Sequence, residues 1–232
     1  MRTGSHHSVP DIGRRLLLGA GVVAGSGVLT EAWAQTQTGQ APTGQPDQSA
    51  VTELIKDWPQ AAKAAAEEML RKYGAPQEVT GTRLHWEGNR PWLRSVVVKT
   101  GVEHDFPAKH SDVLEQTVSY RIPLNFLEPI ASFNGSVIPD RTRGELTAHC
   151  DREATNILAL NLAHDIIRGQ RTVAQAREAM AEGQRAIQAG RIPADARELR
   201  LGPPQGDLRD PDTAAVAPAA GQGSGVSPAI IR

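Results

Sequence analysis

The stretch from Cys150 to Gly169, CDREATNILALNLAHDIIRG, limits what this chain can fold into more than any other. Stepped at about 100° per residue, Leu158, Ala159, Leu160, Leu162, Ala163, Ile166 and Ile167 cover one broad apolar face of a helix. Asn161, His164, Asp165 and Arg168 gather on the other side and read as a solvated face. Asp151 suits the N-cap or first turn, where a carboxylate is favoured by the helix dipole. Gly169 suits the left-handed position that follows a helix. The apolar stripe is wider than a coiled-coil seam, so this helix is expected against a sheet or between several elements. Asn156 sits at the edge of the stripe, and a buried amide needs partners. A hydrogen bond to a neighbouring backbone is expected, with a ligand contact as the alternative. His164 and Asp165 are helical neighbours and diverge too far to act as a side-by-side acid–base pair.

The flanking sequence supplies what such a helix would cover. Trp58-Pro59 opens an earlier helix lined by Ala62, Ala65, Ala66, Met69, Leu70 and Tyr73, and Gly74 closes it. Residues 79–86 and 92–100 read as strands joined by the turn Glu87-Gly88-Asn89-Arg90-Pro91. Residues 113–122 read as a third strand, and 136–139 and 144–149 as two short ones. Residues 124–133 fit a short helix or irregular turn broken by Pro129. After the central helix, Thr172 and Gln175 form a capping-box pattern. Val173, Ala176, Met180, Gly183 and Ile187 follow as a narrow seam. That seam fits a helical hairpin with the central helix, or else self-association or a protein partner. The expected class is α+β: a small antiparallel sheet packed against about three helices in a single domain, residues 51–199. Residues 35–50 and 200–232, rich in Gln, Thr, Gly, Pro and Ala, are expected to be disordered.

The start of the chain bears on location. Arg14-Arg15 precedes a weakly hydrophobic run beginning Leu16-Leu17-Leu18, and Ala32-Trp33-Ala34 offers a small-x-small cleavage site. This is the layout of a signal peptide over residues 1–34, with the paired arginines of twin-arginine (Tat) export. A periplasmic or secreted bacterial protein is expected, with no membrane span left after cleavage. The chain has 25 basic and 26 acidic residues. The leader changes that balance little, carrying Arg2, Arg14 and Arg15 against Asp11 and Glu31. Without a basic excess, nucleic acid is not an expected partner. The single cysteine, Cys150, excludes an internal disulfide and reads first as a small buried residue.

Trp58-Pro59, Lys72-Tyr73-Gly74, His104-Asp105-Phe106-Pro107, residues 112–116, Asp140-Arg141-Thr142 and residues 161–166 together resemble a family of uncharacterised exported bacterial proteins, often with twin-arginine leaders. The resemblance covers about residues 57–180. It implies export but no known activity, so no functional residue is carried across from it.

Chemistry concentrates in GVEHDFPAKHSD, residues 101–112, read as a loop between two strands. His104, His110 and Asp112 offer imidazole and carboxylate ligands suited to zinc or a similar divalent ion. Asp105, His149, Asn156 and His164 are further polar candidates, with His149 able to join the loop from a neighbouring strand. The spacing matches no established metal motif, and the nucleophile-elbow, P-loop and dinucleotide signatures are absent. No catalytic residue is assigned. The leading expectation is an exported binding or envelope-interaction module. The alternative is a metal-binding protein or metal-dependent hydrolase built on the His104–Asp112 segment. His149-Cys150-Asp151 offers thiol chemistry only on paper, since nucleophile and base usually meet through the fold.

Overall fold

The computed structural model describes residues 46–202 and 206–216; the leader, residues 35–45 and the C-terminal end lie outside them. Six strands form one antiparallel sheet in the order β1-β2-β3-β4-β6-β5. They are β1 (Glu78–Val79), β2 (Arg83–Glu87), β3 (Arg94–His104), β4 (His110–Ser119), β5 (Val137–Asp140) and β6 (Glu145–Cys150). The helices are α1 (Gln48–Ile55), α2 (Gln60–Tyr73), α3 (Leu127–Phe133), α4 (Glu153–Ile167) and α5 (Val173–Gln188). The α+β class expected from sequence is the one observed. Among the described residues, no helix is long and apolar enough to cross a membrane.

Period-two alternation decides which side of the sheet is covered. Leu84 pairs with Val97, and Val97 with Leu114, so the three share a face. Gln116 pairs with Ala148, and Val118 with Leu146. All are buried, and α2 and α4 pack over them. Two apolar clusters lie along this face. One joins Val51, Ile55 and the alanine side of α2 to Leu84, Trp86, Val97 and Leu114. The other joins Val118, Leu146 and Ala148 to α4, α5 and α3. Glu153 links the two. Its buried carboxylate accepts from Lys72 Nζ, Tyr73 Oη and Trp92 Nε1, each at 2.5 Å. A charge can stay in such a place because its donors replace water.

The central helix departs from its sequence reading on two sides. It begins at Glu153 rather than Cys150, because residues 145–150 are held in β6 by pairing with both β4 and β5. Arg152 is its N-cap, and Asp151 pairs with the Arg152 guanidinium instead of capping. The expected solvated face is covered at Asn161 and Asp165, while His164 is half-buried and Arg168 exposed. Twelve of the fifteen residues of α4 are buried, Asn161 and Asp165 among them. The chain after α5 folds back over that side through a 3-10 turn at Ala194–Ala196. Asn161 Nδ2 donates to the Asp195 and Glu198 carbonyls, each at 2.8 Å, and Arg200 N donates to Asn161 Oδ1. Arg171 and Arg200 pair with Asp165. The ordered body therefore runs past residue 199. It also starts before residue 51, since Asp47 caps α1.

Four of the five residues of the expected seam lie inside the molecule, and Val173 is half-buried. Ala176, Met180, Gly183 and Ile187 are buried, and a Cβ at Gly183 would come within 2.4 Å of Leu158 Cδ2. The absent side chain lets α5 approach α4, so the helical hairpin is the reading observed. The stretch expected as one strand over 79–86 is split into β1 and β2 by a turn at residues 80–82. Beyond the body, residues 207–212 lie against it, with Arg121 Nε donating to the Asp207 carbonyl at 2.7 Å and Arg141 paired with Asp212.

Candidate metal centre

The segment 101–112 is not a loop. β3 extends to His104 and β4 begins at His110, leaving only residues 105–109 as the turn. His104 stands directly opposite His110, and Val102 opposite Asp112. Same-face neighbours on a strand are two apart, so His110 and Asp112 project together and His104 meets them across the ladder. The ladder is irregular between Val97 and Val102. Gly101 allows this, because a Cβ there would lie 2.5 Å from the Asp112 carbonyl oxygen. The hairpin tip is anchored by α5, whose Arg177 guanidinium lies 3.8 Å from the Phe106 ring centroid.

One ligand atom each from His104, His110 and Asp112 can be chosen so that all lie within 4.8 Å of one another. Asp112 Oδ1 is 3.0 Å from His110 Nε2, and Oδ2 is 3.3 Å from His104 Nδ1. Ser136, entering β5, places Oγ 2.5 Å from Asp112 Oδ2 and 3.1 Å from His104 Nδ1. His110 Nδ1 is 2.7 Å from the Ala108 carbonyl, which can only accept, so Nδ1 carries a hydrogen and Nε2 faces the cluster. Cys150, at the end of β6, places Sγ 3.2 Å from that Nε2.

These groups are largely withdrawn from water, and their protonation shows the field they share. Burial alone would depress the His110 imidazolium. The Asp112 carboxylate, the Cys150 sulfur and the Ala108 carbonyl outweigh it and push the pKa up to about 11. Burial would raise Asp112, but the His110 ring beside it, the hydrogen bond from Ser136 and the His104 imidazole hold it below the usual carboxylate range. Burial pushes the Cys150 thiol up against the opposite pull of His110. The pocket thus favours positive charge. Asp112 Oδ1 is buried with no hydrogen bond, although Nε2 is near enough, because the ring N–H does not point at it.

A cleft of about 440 Å³ adjoins the cluster and is lined in part by Arg83, Val102, Asp112, Glu115, Ser136 and His149. His149 reaches this cleft but not the cluster, because alternation along β6 turns Cys150 inward and its neighbour the other way. Asp105 is exposed in the turn and takes no part. Asn156 is a structural amide, donating to the Leu114 carbonyl and to Gln116 Oε1, each at 3.1 Å. His164 lies elsewhere, its Nδ1 2.8 Å from the Tyr120 hydroxyl. Ser136 is the neighbour that sequence reasoning missed, and Cys150 the one it read as a buried residue apart from the cluster. Both arrive through strand pairing, 24 and 40 residues away from their partners. Comparison with protein-family models, with curated proteins and with solved structures gives no match for this chain.

Proposed function

We propose that this is an exported protein that binds a divalent transition metal, zinc by its donor chemistry, at His104, His110 and Asp112. Support for export comes from the paired arginines, the apolar run and the Ala32-Trp33-Ala34 site. The observation that carries the metal reading is Asp112 Oδ1: a buried carboxylate oxygen with no hydrogen directed at it, 3.0 Å from an imidazole nitrogen. A cation between the two would satisfy both, where a proton on Nε2 satisfies the oxygen poorly. Nitrogen and oxygen donors in this ratio suit zinc better than magnesium or calcium, which take oxygen alone. Binding of this kind agrees with a role in the envelope as a binding module.

A second reading, metal-assisted hydrolysis, draws on one feature, the cleft that reaches Asp112 and Ser136. Elemental analysis of the full chain, purified without an affinity tag and dialysed against zinc, tests the main reading. Close to one zinc per chain is expected. The pair His104→Ala and His110→Ala should remove it while helical circular dichroism stays near that of the parent. A parent that holds no zinc, or a double variant that keeps it, contradicts the proposal.

A further inference from the structure

We infer that Cys150 supplies a fourth protein donor to this site, so that the ion is held by two imidazoles, a carboxylate and a thiolate. The inference rests on the metal-binding reading above and deepens it. Two arrangements would bring a cysteine to 3.2 Å from a histidine nitrogen beside an aspartate. One is a nucleophile relay, in which the acid orients the ring through the nitrogen remote from sulfur. That remote nitrogen, Nδ1, is occupied here by the Ala108 carbonyl. Asp112 Oδ1 stands instead beside Nε2, the same atom that Sγ approaches. His110 Nε2 thus has a sulfur and a carboxylate oxygen beside it at once, as a donor does when it shares an ion with its neighbours.

Distances favour the same view. Around a tetrahedral zinc with ordinary bond lengths, a nitrogen lies about 3.3 Å from an oxygen donor and about 3.6 Å from a sulfur donor. The separations of 3.0 and 3.2 Å are a few tenths of an ångström tighter. At these two contacts, admitting the ion requires the donors only to spread slightly; the Cys150 sulfur, outside the set that lies within 4.8 Å all round, must also close on the remaining ligands. Cys150 is buried and is the chain's single cysteine, so no disulfide competes for it. Loading exchanges protons for the metal: the Cys150 thiol and the His110 Nε2–H each give up a proton, sulfur–metal and nitrogen–metal bonds form, and no electron is transferred. Two consequences follow. A thiolate selects zinc and softer ions over magnesium and calcium. Four protein donors also close the coordination sphere, leaving no position for the activated water that hydrolysis needs. The ion is then held or carried rather than used on a substrate in the cleft.

Cobalt(II) titration of the metal-free full chain is the test, because sulfur ligation has its own signature. The parent should show a sulfur-to-cobalt charge-transfer band in the near ultraviolet and the intense visible bands of a four-coordinate ion, both saturating at one equivalent. With a single cysteine in the chain, that ultraviolet band has one possible source. Cys150→Ser, of nearly the same shape, should lose the band and bind cobalt roughly tenfold more weakly or worse. Saturable visible bands without the ultraviolet band in the parent would overturn the thiolate assignment and leave the His–His–Asp reading standing. No cobalt uptake at all would overturn both.

Discussion

At the scale of single residues, protonation separates the histidines by surroundings. His110 is held as a cation by Asp112 and the sulfur beside it. His164 shows the opposite case. Its burial near Tyr120 lowers the pKa below the ordinary 6.5, outweighing the pull of Asp165. A depressed histidine is neutral in the fold while the unfolded chain takes up a proton first. Stability should therefore fall as pH drops below about 6.5, and level off once the folded state also protonates. His164→Gln should flatten this part of the profile, measured as the urea midpoint between about pH 7 and pH 5. An unchanged slope would place the acid sensitivity elsewhere. The sequence put His164 on a solvated face, because nothing local shows that Tyr120 meets it or that residues 194–200 return over neighbouring Asn161.

Among elements, the α4–α5 hairpin was legible and the boundary between β6 and α4 was not. The seam from Val173 to Ile187 has helical spacing and a capping box, both local signals. Cys150 belongs to a strand because of pairing with Leu114, thirty-six residues earlier by number, and no local pattern records that. Reading the helix from residue 150 therefore hid the sulfur from the metal cluster. The hairpin also gives a test of its packing. Gly183→Ala gains about 1 kcal/mol of helix propensity but crowds a flexible end of Leu158, so it should be close to neutral. Gly183→Leu has nowhere to put its added carbons and should cost about 1–3 kcal/mol, read from denaturant unfolding. Equal stability of all three proteins would mean that the close approach of α5 to α4 is not what Gly183 serves.

For the whole molecule, one antiparallel sheet carries two apolar clusters on its covered face and gathers the polar cluster at one end. Alternation within strands and apolar stripes on helices made the α+β class readable. His104, His110 and Asp112 were readable as a set because they lie within nine residues, close enough for either a loop or a hairpin to unite them. Their true setting, two facing strand ends, was hidden by the polar composition of the segment. Ser136 and Cys150 could be found only once β5 and β6 were placed beside β4. The central claim is that His104 and His110 bind one ion together. Histidine-selective nitrogen–proton NMR of the full chain, with zinc added to one equivalent, reads this residue by residue. The account predicts that the ring signals of His104 and His110 move to new positions together, with His85, His149 and His164 unmoved. Shifts at those three instead, or an unaltered pair at His104 and His110, would contradict it.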